Sequence, residues 1–132
     1  MADTRDTYAY FWITGFECPF AEITAQMGID PTKAWNKGDP GTYREVMRWS
    51  GWDLRSPMPR GDKFIHEHVE ALLPVLEQRA EVVRSFARAY DAGINCVGYF
   101  HNFNPGFHFS LETMSRIVAL GLPVDFDLYC SE

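Results

Sequence analysis

The chain has 132 residues, enough for one domain that buries roughly two thirds of its unfolded surface without disulfides or metal, and too few to expect a second. Hydrophobic residues make up 46% and charged residues 23%, which excludes disorder throughout, and a 15% aromatic share asks for a structural or recognition role. A formal charge of −6 with a pI near 5.1 argues against a nucleic-acid footprint, which needs clustered Lys and Arg, and accommodates a basic protein partner more easily.

No apolar run reaches the roughly 20 residues that cross a bilayer, and "MADTRDTY" lacks the apolar core of a secretory signal. A cytoplasmic protein without membrane contact is expected. Cys18, Cys96 and Cys130 are odd in number and widely spaced, so they read as small hydrophobes in a reducing compartment, not as a disulfide framework or zinc module.

In chain order, "TYAYFWITGF" (Thr7 to Phe16) alternates as a strand, with Ala9, Phe11 and Ile13 on one face and Tyr8, Tyr10 and Trp12 on the other. "CPFAEITAQMG" reads as a short helix with Pro19 near its start, a stripe of Phe20, Ile23 and Met27, and Gly28 at its end. Next comes a turn, "GDPGTY", between an irregular segment holding Trp35 and the runs "YREVMRW" and "WDLRS". Those two runs meet near Ser50 and Gly51 and predict either a hairpin or one long bulged strand. "SPMPRGD" is a loop, because two prolines and a glycine deny it regular structure.

Ile65, Val69, Leu72, Leu76, Ala80, Val83, Ala87 and Tyr90 recur every three or four residues and predict a long amphipathic helix, kinked or broken near Leu73 by Pro74 and ended by Gly93. "INCVGYFHNF" then reads as a strand, "NPG" as a turn and "FHF" as a return strand. A three-residue loop is preferred there, since Pro-Gly does not supply positive φ at both positions of the tighter turn. That register puts Val97, Tyr99, His101, Phe103, Phe107 and Phe109 on one face. Ser110 caps a helix with the stripe Leu111, Met114, Ile117 and Val118, closed by Gly121. The final run, "PVDFDLYC", alternates Val124, Phe126, Leu128 and Cys130 inward with Asp125, Asp127 and Tyr129 outward. The order predicts an α+β fold: an antiparallel or mixed sheet covered by helices on one face, a ferredoxin-like-type sandwich with an added C-terminal helix and strand.

Catalytic motifs are missing from this pattern. There is no G-x-S-x-G, no phosphate-binding glycine loop and no cysteine near a histidine in an informative context, so no cofactor and no catalytic residue is implied. His66 and His68 lie two apart on a helix, point in different directions and read as surface residues, and His101 and His108 fall on opposite faces in the preferred register, so no metal site is expected. Asp125 and Asp127 share a strand face, where they serve either acid–base chemistry or, more simply, protection of a solvated edge.

Tyr8, Tyr10 and Trp12 with Asp125, Asp127 and Tyr129 define an aromatic and acidic sheet face if the first and last strands lie close. It is either a recognition surface or a second small core sealed by loops. Three of the four tryptophans, Trp35, Trp49 and Trp52, sit between Pro31 and Trp52, but a shared cage is disfavoured, because Trp52 enters the alternating "WDLRS" run and packs with Leu54. Trp35, with Lys37 and Asp39 in the adjoining turn, is the remaining ligand candidate.

The segments "ITAQMGIDPTKAWNKGDPG", "GWDLRS", "HVEALLPVLEQRAEVV" and "GFHFSLETMSRIVALGLPVDFDLY", in that order from about Tyr8 to Tyr129, resemble the bacterial family known as domain of unknown function 4279. "PTKAW…KGD" and "LGLPVDFDLY" are the most specific stretches. The resemblance implies a small stand-alone cytoplasmic domain and transfers no catalytic residues. The functional expectation is a non-enzymatic protein-binding module with a basic protein partner, of which toxin immunity is one form by analogy, or self-association through the sheet face. A small-molecule sensor or cryptic enzyme with a pocket near Trp35 to Trp52 is the alternative.

Overall fold

In the computed structural model, which describes residues 3–43 and 45–132, the first strand, β1 (Thr4–Thr14), lies at the centre of the sheet. Its alternation is realised as read: Ala9, Phe11 and Ile13 are fully buried, while Tyr8, Tyr10 and Trp12 on the other side are half-buried. Helix α1 (Phe20–Met27) follows, with Ile23 and Met27 inward, and leads to a short strand β2 (Lys33–Trp35) and then to β3 (Gly51–Arg55). Helices α2 (Ile65–Glu77) and α3 (Ala80–Ala89), strand β4 (Asp91–His101), helix α4 (Leu111–Ala119) and strand β5 (Val124–Ser131) complete the chain. The sheet order is β2-β3-β1-β4-β5; the first four strands are antiparallel and β5 is parallel to β4. This is the expected α+β class with a mixed sheet. Buried side chains of all four helices join one core with Ala9, Phe11 and Ile13, so the helices cover a single face.

Several expectations are corrected. Residues Tyr43 and Glu45–Trp49 of "YREVMRW" form no strand; the loop instead folds back on the turn after β2 through Gly38 N–H to the Met47 carbonyl (2.8 Å) and Met47 N–H to the Asp39 carbonyl (2.7 Å). Val46 and Trp49, the apolar residues of that run, stay exposed, because no second layer lies there to reward a strand. Trp35, read as irregular, lies in β2, whose three residues pair with β3. "FHF" is not a return strand either: β5 pairs with β4 in parallel, and Phe107 turns to the helix side, its ring 5.9 Å from that of buried Phe100. The preferred register, with Phe107 on the same face as Tyr99, is therefore wrong.

The long helix breaks later than Pro74. Proline withholds only its own donor, and Gln78 N–H still reaches the Pro74 carbonyl at 3.3 Å, so α2 runs to Glu77. Arg79 then leaves helical geometry (φ −127°, ψ 39°), and its Nε donates to the Met27 carbonyl at the end of α1 (3.0 Å). A tertiary tether, more than the proline, places the break. Gly93 does not end the helix but lies inside β4.

Ser110 caps α4 as expected, its Oγ accepting from Thr113 N–H at 3.1 Å. The buried side of α4 is Thr113, Ile117 and Leu120, whereas Leu111, Met114 and Val118 are exposed. His68 is fully buried instead of surface-placed, since it faces inward between Ile65 and Leu72. Cys96 is buried and Cys18 half-buried, but Phe126, Leu128 and Cys130, all expected inward, lie on the helix side of β5 and are exposed there.

Candidate functional site

Directly opposed residues of paired strands share a face, so the registers assemble the second side of the sheet residue by residue. Tyr8 lies opposite Val97, Tyr10 opposite Arg55 and Asn95, and Trp12 opposite Asp53 and Gly93. β5 adds Asp125 beside Asn95, Asp127 beside Val97 and Tyr129 beside Tyr99. β2 adds Lys33 beside Asp53 and Trp35 beside Gly51. Tyr8, Tyr10, Trp12, Trp35, Asp125, Asp127 and Tyr129 thus share one face, and among the described residues no helix covers it.

A row of stacked groups runs across this face. The Arg55 guanidinium lies 4.4 Å from the Tyr8 ring centre and that of Arg60 4.7 Å; Arg60 is also 5.6 Å from Tyr99, whose ring stacks on Tyr129 at 4.9 Å. Cation–π attraction and offset stacking hold such a row flat without a covering layer. Arg60 makes a two-pronged bond to Asp6 (Nε to Oδ1 2.9 Å, Nη2 to Oδ2 2.8 Å), which holds the Asp6 carboxyl below its ordinary value. At the centre, Asn95 Nδ2 donates to the Tyr10 hydroxyl at 2.9 Å, and burial holds that hydroxyl above its usual value.

The indoles use glycines as seats. A Cβ on Gly51 would overlap the Trp35 ring, and one on Gly93 would stand 2.9 Å from Trp12 Cζ2. Trp35 is further fixed by its Nε1 donating to the Trp49 carbonyl (2.8 Å), with the Lys33 ammonium 5.1 Å from its ring. Trp52, by contrast, is fully buried on the core side, edge-on to Phe11, with Nε1 donating to Thr24 Oγ1 at 3.0 Å. The three tryptophans therefore do not form a cage.

Asp53 is the residue of this face that the sequence reading passed over. Burial pushes its carboxyl up to about 6, against the pull of Lys33 and Arg55, and no ion pair within 4.0 Å holds it among the described residues. Its alternation with Trp52 and Leu54 in "WDLRS" was the available signal, as was that of Tyr99 with Gly98 and Phe100. Asp125 and Asp127 are exposed at the sheet edge, and Asp127 accepts from the Tyr129 hydroxyl at 3.3 Å. Lys37 and Asp39 lie in the turn after β2: Lys37 is exposed, and the Asp39 carboxylate accepts from Asn36 N–H at 2.8 Å. An open hollow of about 640 Å³ separates that turn from Trp35.

His101, at the end of β4, shares this face with Tyr99, opposite Thr4 and Ser131. His66 stacks on Phe64 and lies 3.4 Å from Glu70, His101 Nδ1 is 3.0 Å from Ser131 Oγ, and His108 is exposed. Among the described residues no three His, Cys, Asp or Glu side chains are grouped to hold a metal ion. None of the described helices is long and apolar enough to cross a membrane.

The residues thus build a small α+β protein with a mixed sheet, helices on one face, and a second face of aromatic and charged side chains. Residues 5–131 match the family model of a domain of unknown function, DUF4279, and the chain belongs to that family. A search of curated proteins found no match, and neither did a search of solved structures.

Proposed function

We propose that the protein is a non-enzymatic binding module whose uncovered sheet face receives a basic protein partner, as an immunity-type protein would receive a basic toxin. The observation that carries this is a pair of carboxylates left over on that face: Arg60 is occupied by Asp6, Arg55 lies against Tyr8 and Lys33 lies beside Asp53, whereas Asp125 and Asp127 have no ion-pair partner among the described residues. Free carboxylates among tyrosine and tryptophan rings suit an incoming Lys or Arg, which gains both a counter-charge and an aromatic surface. Electrostatic complementarity of this kind acts mainly on specificity and on-rate. An affinity capture from the native host at low salt should recover a basic protein that elutes as salt is raised. Tyr8→Ala combined with Asp127→Lys should abolish recovery; equal recovery with that variant sinks the reading.

The hollow beside Trp35, lined by Lys33, Trp35, Asp39, Tyr43 and Met47, favours a second reading, a small-molecule sensor. A ligand at 100 times its Kd adds about 2.7 kcal/mol of stability. A thermal-shift screen over metabolites discriminates: a hit lost in Trp35→Ala supports this reading, and silence removes it.

A further inference from the structure

The far edge of the sheet is built differently from the face just described. β5 is the last strand, eight residues long, and its outer edge carries no strand among the described residues. Its helix-side residues Phe126 and Leu128 are 48% and 37% exposed, and Phe107, whose ring lies 6.1 Å from that of Phe126, is 44% exposed. Asp125 and Asp127 guard the open face of this edge, but the helix side of the strand carries no charge, and an uncovered apolar edge of that kind is a template for pairing.

Helix α4 is the crossover between the parallel strands β4 and β5, and its Ile117 joins the core on their helix side. Arg116 reaches Glu77 of α2 from one flank (Nε to Oε2 2.8 Å). Leu111, Met114 and Val118, spaced three and four apart, share the opposite flank, toward the β5 edge, and are 77%, 46% and 74% exposed. Helix and edge strand therefore turn one apolar strip to the same side.

We infer that this strip pairs with a second copy of the chain, β5 against β5 in antiparallel register about a two-fold axis, to make one continuous sheet. Charge, through the residue pairing it allows, selects this occupant. Registers centred on Phe126 or Asp127 set carboxylate against carboxylate. Centred on Leu128, the pairing sets Asp127 opposite Tyr129, Asp125 opposite Ser131, Phe126 opposite Cys130 and Leu128 opposite itself. Asp125 and Asp127 then meet hydroxyls on the open face, and Phe126, Leu128 and Cys130 meet apolar groups on the helix side. The pairing shares Asp125 and Asp127 with the face proposed for a basic partner but leaves Tyr8 and Asp53 clear, so the Met114→Glu/Val118→Glu variant below tests it without touching that face.

Sedimentation equilibrium of the full chain in the micromolar range should give twice its 15.2 kDa mass. Met114→Glu/Val118→Glu alters only exposed positions and should give a folded monomer by circular dichroism. Under mild oxidation Leu128→Cys/Cys130→Ser should form a disulfide-linked dimer, and Asp125→Cys/Cys130→Ser should not. A wild-type chain that stays monomeric overturns the inference and leaves the edge to a strand of a different protein. A dimer untouched by the α4 variant, with no Leu128→Cys cross-link, overturns it as well.

Discussion

Trp35 and Trp52 lie one strand apart and do opposite things, and the difference is decided by single atoms. Trp35 rests on the open face over Gly51, where even a methyl group would overlap its ring. Gly51→Ala should therefore cost about 1–3 kcal/mol in urea unfolding, the usual penalty for overpacking. In a Trp35→Ala background most of that cost should vanish, since the three atoms nearest the added methyl all belong to the Trp35 ring; a double-mutant cycle reads this directly. Trp52 is sealed against Phe11 and bonded to Thr24, so Trp52→Ala should cost about 3–5 kcal/mol, measured in the same way.

Elements were legible wherever local pattern and local chemistry agree. α1 between Pro19 and Gly28 and the alternation of β1 follow from neighbours in sequence, while for β5 the alternation gave the faces but not the burial. The cap of α4 is the cleanest case: Ser110→Ala should lower stability by about 1 kcal/mol, and Ser110→Asp should restore it, by thermal unfolding. Failures came where a distant contact decides. "YREVMRW" has strand composition but no layer to cover it, "FHF" gives way to a parallel partner arriving twenty residues later, and the helix break follows the bond from Arg79 to Met27. The exposed stripe of α4 belongs here too, because helical periodicity shows that Leu111, Met114 and Val118 align but not what they face. The aromatic face itself was half-legible: Tyr8, Tyr10, Trp12, Asp125, Asp127 and Tyr129 were grouped from alternation alone, Asp53 and Arg55 were open to the same alternation in "WDLRS" and were missed, and Arg60 needed the loop that delivers it to Tyr8.

At the scale of the whole molecule, the two faces of the sheet each hold a titratable group against its preference, and the two act in opposite directions. Asp53, on the open face, is pushed up to about 6 from an ordinary 3.8, chiefly by burial. Between those values the folded chain keeps a proton that the unfolded chain has released, so this group makes stability fall as pH rises through the window. His68, fully buried on the core side, is held below its ordinary 6.5, again chiefly by burial, although the Thr7 backbone and Glu67 pull the other way. Here the unfolded chain takes the proton first, so stability falls as pH drops below 6.5. The slopes oppose each other between about pH 6 and pH 5, above the range where the carboxylates of Asp6 and Glu77, held low by Arg60 and Arg116, begin to lose their partners. The two groups therefore act in opposite directions on the wild-type urea midpoint over that interval. Asp53→Asn should be more stable than wild type by about 2 kcal/mol at pH 7, an advantage that shrinks on acidification. His68→Gln should show the reverse trend, gaining on wild type as pH is lowered from 7 to 5. Parallel profiles for all three proteins would mean that neither group is held away from its ordinary titration. An Asp53→Asn variant that gains stability but no longer retains a basic partner would identify that carboxylate as kept for binding at a cost to the fold.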